Sequence, residues 1–163
     1  MKVYLASDHA AFELKGRLLV FIREELHLEA EDCGAAVYNA DDDYPAFIAD
    51  AAKKLAADAA AGIESRAIVA GGSGQGEAMV ANRFNGVRCA LYYGEAGMQT
   101  DAKGKSLDVI ASVREHNNAN ALSLGARFLS EEDAKAAVRK FLELPFTKED
   151  RHLRRITQID KVH

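Results

Sequence analysis

The chain has 163 residues with 48% hydrophobic and 28% charged residues, which predicts one globular domain, residues 1–163, with a sizeable core. Its formal net charge of -4 argues against a nucleic-acid-binding protein, although a local phosphate site remains compatible with that charge. The chain has two cysteines, its N-terminus turns polar too early for a signal peptide, and it has no apolar run of roughly 20 residues. These features predict a reduced, cytoplasmic protein without a membrane partner.

The first half of the chain alternates strand and helix patterns. Lys2–Ser7 is a short apolar run typical of a buried strand. Ala10–Leu26 carries leucine or isoleucine at every fourth position, which predicts one apolar helix face. Leu28–Cys33 is predicted as a second strand and Gly34–Tyr44 as a loop. A helix is predicted over 45–61, because proline is favoured in a first helical turn.

The second half continues the alternation. The predicted elements are strand 66–70, glycine-rich loop 71–76, helix 77–84, strand 87–93, loop 94–105, helix 106–115, strand 121–125, helix 130–144 and a helical tail at about 148–163. We therefore predict an α/β fold with a doubly wound, Rossmann-like, five-stranded parallel sheet and helices on both faces. Such sheets bind ligands at the carboxyl ends of their strands, so the segments after the strands are the candidate sites.

Two strand ends carry candidate ligand groups. Asp8 and His9 follow the first strand, where His9 could hold a phosphate and Asp8 a sugar hydroxyl; Asp8 could equally cap the next helix. The loop 71–76 has four glycines in six residues, so its backbone can approach a ligand closely, and Ser73 and Glu77 accompany it. The alternatives are a plain tight turn and a glutamate that only complements a helix dipole.

Polar residues near the fifth strand and the C-terminus form a further set. His116 and Asn117 precede the fifth strand. They are either functional groups or an ordinary loop histidine followed by an asparagine that favours a turn. Arg127 is predicted to end that strand. Arg151 and Arg155 are four residues apart on a predicted helix, so they share a face that suits a phosphate dianion or, alternatively, only faces solvent.

Other kinds of site find no support in the sequence. The histidines lack metal-binding spacing such as HExxH, no GxSxG motif is present, and the glycine loop is neither a Walker A loop nor GxGxxG. Cys89 falls within a predicted strand and is interpreted as a core residue.

Taken together, the segments resemble the ribose-5-phosphate isomerase B family, which also includes galactose-6-phosphate isomerase subunits. The matching segments occur in the family's order and cover most of the chain. They are SDHAAFELK at 7–15, DYP at 43–45, GGSGQGEAMVANRFNGVR at 71–88, HNNAN at 116–120, LGAR at 124–127 and RHLRR at 151–155. The glycine-loop segment and the HNNAN segment are the most specific.

The resemblance implies an aldose–ketose isomerase that acts on a phosphorylated sugar, with ribose 5-phosphate as the expected substrate. In one branch of the family the base is a cysteine just before the glycine loop, where this chain has Gly71. The chain is similar to the other branch, in which a glutamate after the loop, here Glu77, is the base. His116 would assist ring opening, and Asn117 would position the reacting end.

The resemblance also implies a set of binding residues and an assembly. Asp8 and His9 would contact the sugar phosphate, and Arg127, Arg151 and Arg155 would hold its phosphate. The loop residues expected at the reacting end are Gly72, Ser73, Gly74, Gln75 and Gly76. The resemblance implies a homodimer or tetramer whose sites are shared between subunits. The loop 94–105 is a departure from the family pattern, because it is longer than in compact bacterial members.

Elementary chemistry agrees with these assignments. One carboxylate can move a proton between adjacent carbons through an enediolate if its pKa is raised, and the loop and Ser73 can supply donors to the oxyanion. This chemistry needs no metal or organic cofactor.

Three other functions remain open at this stage: a galactose or allose 6-phosphate isomerase, a non-catalytic phosphosugar- or nucleotide-binding module, and a flavodoxin-like protein. A binding module would not need Glu77 and His116 together. A flavodoxin-like protein would need an aromatic platform beside the glycine loop.

Overall fold

Strands and helices alternate along the chain in this computed structural model, which describes residues 1–162. The strands are β1 (Lys2–Ser7), β2 (Glu29–Asp32), β3 (Ser65–Gly71), β4 (Cys89–Tyr92), β5 (Gln99–Thr100), β6 (Ser106–Leu107) and β7 (Ala121–Gly125). The helices are α1 (Phe12–Val20), α2 (Tyr44–Ala60), α3 (Gln75–Ala81), α4 (Val109–Asn117), α5 (Glu131–Glu143) and α6 (Asp150–Ile159). A 3-10 turn, His9–Ala11, precedes α1, and a π-helical segment, Phe21–Glu25, extends it.

Five of the strands form one parallel sheet in the order β2-β1-β3-β7-β4, which confirms the predicted fold class. Ala70 of β3 is in register with Ser7 of β1, and Gly71 with Gly125 of β7. The segments that leave β1, β3 and β7 therefore emerge side by side at one edge of the sheet. This is the edge at which parallel α/β sheets bind ligands.

The sheet is covered on both faces. Leu18, Ile22 and Phe141 join one core cluster with residues of α1, α4 and α5, whereas Ile48 and Leu55 join a second cluster formed by α2 and α3. Burial of each such side chain contributes roughly 1.5–3 kcal/mol to folding. The apolar helix face predicted for Ala10–Leu26 thus packs against one face of the sheet.

Several helix ends have a local cause. Pro45 lies in the first turn of α2, as predicted. The Ser130 side chain accepts a hydrogen bond from the backbone N–H of Asp133 at 3.0 Å and so caps α5. The tail helix α6 spans Asp150–Ile159; the predicted end of that tail at residue 163 lies outside the described residues.

Several predicted boundaries were wrong. The predicted loop 94–105 contains a strand that pairs with Ser106–Leu107 as an antiparallel hairpin, so α4 starts at Val109, where Asp108 caps it, rather than at Ser106. His116 and Asn117 consequently lie in the last turn of α4 and not in a turn before β7. Helix α3 begins at Gln75 rather than at residue 77, and β4 is shorter than the predicted strand 87–93.

None of the helices found in residues 1–162 combines the length and the apolar character that a membrane span requires.

Candidate active site

The segments after β3 and β7 are joined by backbone hydrogen bonds. The N–H of Ala126 donates to the carbonyl oxygen of Gly71 at 2.9 Å, and the N–H of Arg127 to that of Gly72 at 3.1 Å. Arg127 lies in the turn after β7 rather than at the end of the strand, and a Cβ atom on Gly72 would lie 3.2 Å from its guanidinium carbon. The structure therefore brings Arg127 against the glycine loop.

The glycine loop has a backbone shape that side chains would prevent. Gly74 adopts the left-handed conformation at φ 73°, and a Cβ atom there would lie 2.9 Å from the backbone carbonyl of Leu124. The hydroxyl of Ser123, which is buried in β7, donates to the Gly74 carbonyl oxygen at 2.6 Å. The loop is thus held against β7 at its turning point, next to Ser73.

Glu77 places its carboxyl group directly over Gly71. The residue is only 4% exposed, and a Cβ atom on Gly71 would lie well inside van der Waals contact of Glu77 Oε1 and Oε2. A side chain at position 71 and the carboxyl group of Glu77 therefore compete for one volume. Burial raises the pKa of Glu77 above its ordinary value of 4.5, and the negative charge of Asp8 raises it further. A buried carboxyl group with a raised pKa is suited to accept and return a proton.

The thiol of Cys89 is close enough to Glu77 for the two to interact electrostatically. Burial raises the pKa of Cys89 to about 12, and the charge of Glu77 adds to this effect. The thiol is therefore protonated at neutral pH and does not act as a second base.

His9 is held by a carboxylate that we did not predict from the sequence. Asp42 Oδ1 accepts hydrogen bonds from the backbone N–H of His9 at 3.0 Å and from its ring Nδ1 at 2.8 Å. The hydrogen bond to Asp42 raises the pKa of His9 above its ordinary value of 6.5, so the imidazolium form is favoured. The sequence hinted at this carboxylate only through the run of aspartates at 41–43, and it gave no sign of which of the three would contact His9.

Asp8 has the capping role considered as an alternative, since its Oδ1 accepts from the N–H of Ala10 at 2.9 Å. Its other oxygen lies 3.9 Å from His9 Nδ1. Asp8, His9 and Asp42 offer ligand atoms within 4.8 Å of one another, a spacing that could also hold a cation. The hydrogen bonds between Asp42 and His9 account for this grouping without an ion.

Three further side chains, which were not assigned roles from the sequence, lie at the loop. The Tyr44 hydroxyl packs on Gly76 so closely that a Cβ atom there would collide with it. Tyr93 and Phe128 form an aromatic pair with ring centroids 5.7 Å apart, and both lie against Gly125. An aromatic pair therefore lies beside the loop, because β4 and β7 are neighbours in the sheet.

The remaining predicted site residues form a second group. The ring of His116 stacks on that of His152, with centroids 4.5 Å apart and an interplanar angle of 13°. Arg151 Nε donates to His152 Nε2 at 3.3 Å. Burial lowers the pKa of His152, and the charges of His116 and Arg151 lower it further, which favours the neutral ring that can accept this hydrogen bond. Asn117 follows His116 as the last residue of α4, and Arg155 lies exposed on α6, one turn beyond Arg151.

The hairpin formed by β5 and β6 is attached to this second group. Lys103 pairs with Glu149 at 2.9 Å and Lys105 pairs with Glu115. Hydrogen bonds from backbone N–H groups of the hairpin lower the pKa of Asp101, and the charges of Arg151 and His116 contribute to the shift.

The two groups do not meet in one chain. Across the part of the chain that the structure describes, no hydrogen bond or ion pair joins the group of His116, Arg151 and Arg155 to that of Glu77, His9 and Arg127. The predicted constellation therefore exists as two halves, one at the carboxyl edge of the sheet and one where α4 and α6 pack together.

The similarity to known proteins extends over almost the whole chain. Residues 3–159 match the family model described as Ribose/Galactose Isomerase. The chain is 43% identical over 156 residues to ribose-5-phosphate isomerase B of Mycobacterium tuberculosis strain H37Rv, covering 96% of this chain and 86% of that protein. Its fold is similar to ribose-5-phosphate isomerase B of Mycoplasma genitalium with bound ribulose-5-phosphate, with a TM-score of 0.81, 30% identity and coverage of 98% and 94%. The Thermotoga maritima enzyme superposes with a TM-score of 0.77 at 35% identity, covering 99% and 98%.

Proposed function

Because the chain belongs to the ribose/galactose isomerase family and is thereby an aldose–ketose isomerase, we propose that it interconverts ribose 5-phosphate and ribulose 5-phosphate with Glu77 as the base. The observation that carries the proposal for Glu77 is its buried carboxyl group over Gly71. The solved relative with bound ribulose-5-phosphate supports the choice of a pentose phosphate. An activity screen over pentose and hexose phosphates in both directions tests the substrate. Preferential turnover of a six-carbon phosphate would favour a galactose- or allose-6-phosphate isomerase.

The proposed reaction moves one proton between adjacent carbons. The Glu77 carboxylate takes the proton from C2 of the open-chain aldose, and the electron pair shifts onto the C1 carbonyl oxygen to give an enediolate. Glu77 then returns the proton to C1, while the hydroxyl proton of C2 passes to the oxygen on C1, which leaves a ketone at C2. Backbone N–H groups of the loop 72–76 and the Ser73 hydroxyl are suited to stabilise the developing negative charge.

The phosphate is held, in this proposal, by cations from both groups. Arg127 and His9 belong to the first group, and Arg151 and Arg155 to the second. Guanidinium groups suit a phosphate because their N–H donors match its oxygens in pairs. Since the two groups lie apart in one chain, we propose that a homodimer, or a tetramer built from such dimers, completes each site. His116 and Asn117 of one subunit would then reach the reacting end of the sugar beside Glu77 of the other.

Replacement of an arginine on α6 is expected to weaken substrate binding more than turnover. Arg155→Ala should raise KM for ribose 5-phosphate by about one to two decades, because a hydrogen bond to a charged partner contributes roughly 1.5–3 kcal/mol. Steady-state kinetics of Arg155→Ala and of Arg151→Ala measure the effect. Arg154→Ala is the matched control, because Arg154 is exposed on the same helix and carries no proposed role. Equal use of ribose and ribose 5-phosphate by the wild type would contradict a phosphate clamp.

We propose that Asp42 is a positioning residue that keeps His9 cationic and oriented. Asp42→Asn is expected to raise KM by roughly tenfold or less at pH 7.5, since His9 is partly exposed and its charge is screened. The pKa of His9 should fall when the carboxylate is removed, so the rise of KM with pH should begin at a lower pH in the variant. A pH series of KM tests this, with exposed Asp41→Asn as the control. An unshifted pH profile together with reduced thermal stability would show that Asp42 is only a structural residue.

A cytoplasmic, reduced setting also remains part of the proposal. Cys33 and Cys89 are both free thiols, which fits a protein that needs no disulfide.

A further inference from the structure

A small cavity of about 210 Å³ lies at the opposite edge of the sheet from the candidate active site. Ser65 and Arg66 begin β3, whereas Gly71 ends it. The length of the strand, about 20 Å at roughly 3.3 Å per residue, therefore separates the cavity from Glu77. No residue with a proposed role in the isomerase reaction lines this cavity, although the lining residues Arg114 and Asn118 flank His116 and Asn117 in the chain.

Three arginines line the cavity with few acids to balance them. Arg66 and Arg114 are 5% and 3% exposed, and Arg88 joins them. Arg66 has a carboxylate at 3.6 Å, from the exposed Glu64, and Arg88 has one at 3.3 Å, from Asp160. Within residues 1–162, Arg114 has no carboxylate partner. Buried cations without counter-charges are costly, so an arrangement of this kind favours a bound anion.

Some of the arginine donors have a structural role. Arg66 donates to the carbonyl oxygen of Phe141, and Arg114 donates to those of Leu144 and Ala119. A guanidinium has five N–H donors, however. The Nη2 atoms of Arg88 and Arg114 have no protein acceptor in the described part of the chain. Burial lowers the pKa of Arg114 to about 10, with smaller contributions from the charges of Arg66 and Arg88, which shows that the three guanidinium groups act on one another.

Ser65 supplies an independent indication of a ligand. The residue lines the same cavity and is only 6% exposed, and its hydroxyl group has no hydrogen-bond partner among the described residues. Buried hydroxyl groups are normally paired, so an unpaired one in a residue that lines this cavity needs an explanation. One acceptor-rich molecule in the cavity would satisfy the serine and the arginines together.

We propose that this cavity is a binding site for a small tetrahedral oxyanion of the phosphate type, held by Arg88, Arg114 and the hydroxyl of Ser65. Phosphate oxygens accept paired N–H donors from guanidinium groups and a further hydrogen bond from a hydroxyl group. The cavity has room for such an ion, since one water molecule occupies about 30 Å³ in the liquid. The ion would connect the starts of β3 and β7 with the ends of α4 and α5, and would stabilise the folded chain by linkage.

Calorimetric titration of inorganic phosphate, at constant ionic strength set with chloride, tests the proposal. The full chain is used in an Arg155→Ala background to weaken phosphate binding at the candidate active site. Ser65→Ala is expected to weaken phosphate binding about tenfold or more, the effect of a hydrogen bond to a charged group. This substitution removes no side-chain hydrogen bond within the described protein, so the variant should fold normally and should lose the rise in Tm that phosphate produces.

Arg88→Gln is a second variant and should weaken binding similarly. Arg83→Gln is its matched control, because it removes the same charge from an exposed residue that lies outside the cavity. Two results would overturn the proposal: phosphate that binds no better than chloride, or phosphate affinity that is unchanged in both Ser65→Ala and Arg88→Gln. A parallel titration with glycerol 3-phosphate distinguishes two kinds of site. A site for the free ion would not bind this monoester, whereas a site for a phosphoryl group would bind it. Either result supports the proposal, provided that Ser65→Ala weakens the binding of inorganic phosphate.

Discussion

Glu77→Gln is expected to fold normally and to lose turnover by roughly 10²–10⁴-fold, the usual contribution of a general base. The amide keeps the size of the side chain, so it still fits the volume over Gly71, but it cannot accept a proton. In the wild type, kcat/KM should fall with decreasing pH as Glu77 becomes protonated, because only the carboxylate is a base. Burial raises the pKa of Glu77, so this acidic limb should lie above pH 4.5. Single-turnover kinetics over a pH series measure both effects.

The two cysteines provide the controls for that experiment. Cys89→Ser removes the thiol that interacts with Glu77, whereas Cys33→Ser removes a thiol whose charged neighbours include Lys54 and Glu31 but not Glu77. Both variants should keep nearly full turnover per folded molecule, because a thiol whose pKa is about 11 or 12 is protonated at neutral pH. Near-normal turnover in Glu77→Gln would show that Glu77 is not the base. Loss of turnover in Cys89→Ser but not in Glu77→Gln would show the same.

Mixing two inactive variants is expected to restore activity. Glu77 belongs to one group of site residues and His116 to the other, and the two groups do not meet in one chain. In a mixed dimer of Glu77→Gln and His116→Ala, one site contains both substitutions and the other contains neither. Random exchange of equal amounts should therefore recover about a quarter of the wild-type sites if the assembly is a symmetric dimer. A monomeric variant should be inactive even when folded.

A second pair of variants is the matched control for the mixing experiment. Arg127 and Glu77 lie in the same group, so each site in a mixture of Arg127→Ala and Glu77→Gln keeps one defect. That mixture should show no recovery, although its subunits exchange equally well. His116→Ala alone should impair the cyclic aldose more than the open-chain ketose, because ring opening is its proposed step. Recovery in neither mixture, with turnover retained in His116→Ala, would make His116 an ordinary residue at the end of a helix.

The features that could be predicted from the sequence are those set by interactions between residues close together in the chain. The five strands of the main sheet, the helices on both faces and the position of Glu77 next to the glycine loop followed from periodicity and adjacency, because apolar spacing and glycine loops act over a few residues. Even there, the hairpin of β5 and β6 was missed, since a pairing of only two residues leaves no periodic pattern. That hairpin moved the start of α4 and placed His116 in a helix.

The sequence by itself determined the alternating α/β architecture, the glycine loop and most of the residues that belong to the candidate site. Only the tertiary structure decided how those residues are grouped. The hydrogen bond of Asp42 to His9, the stacking of His152 on His116 and the cavity around Ser65 each join residues that are distant in the chain. Such contacts depend on the order of strands in the sheet and on which helices pack together, and no local pattern of residues encodes either of them.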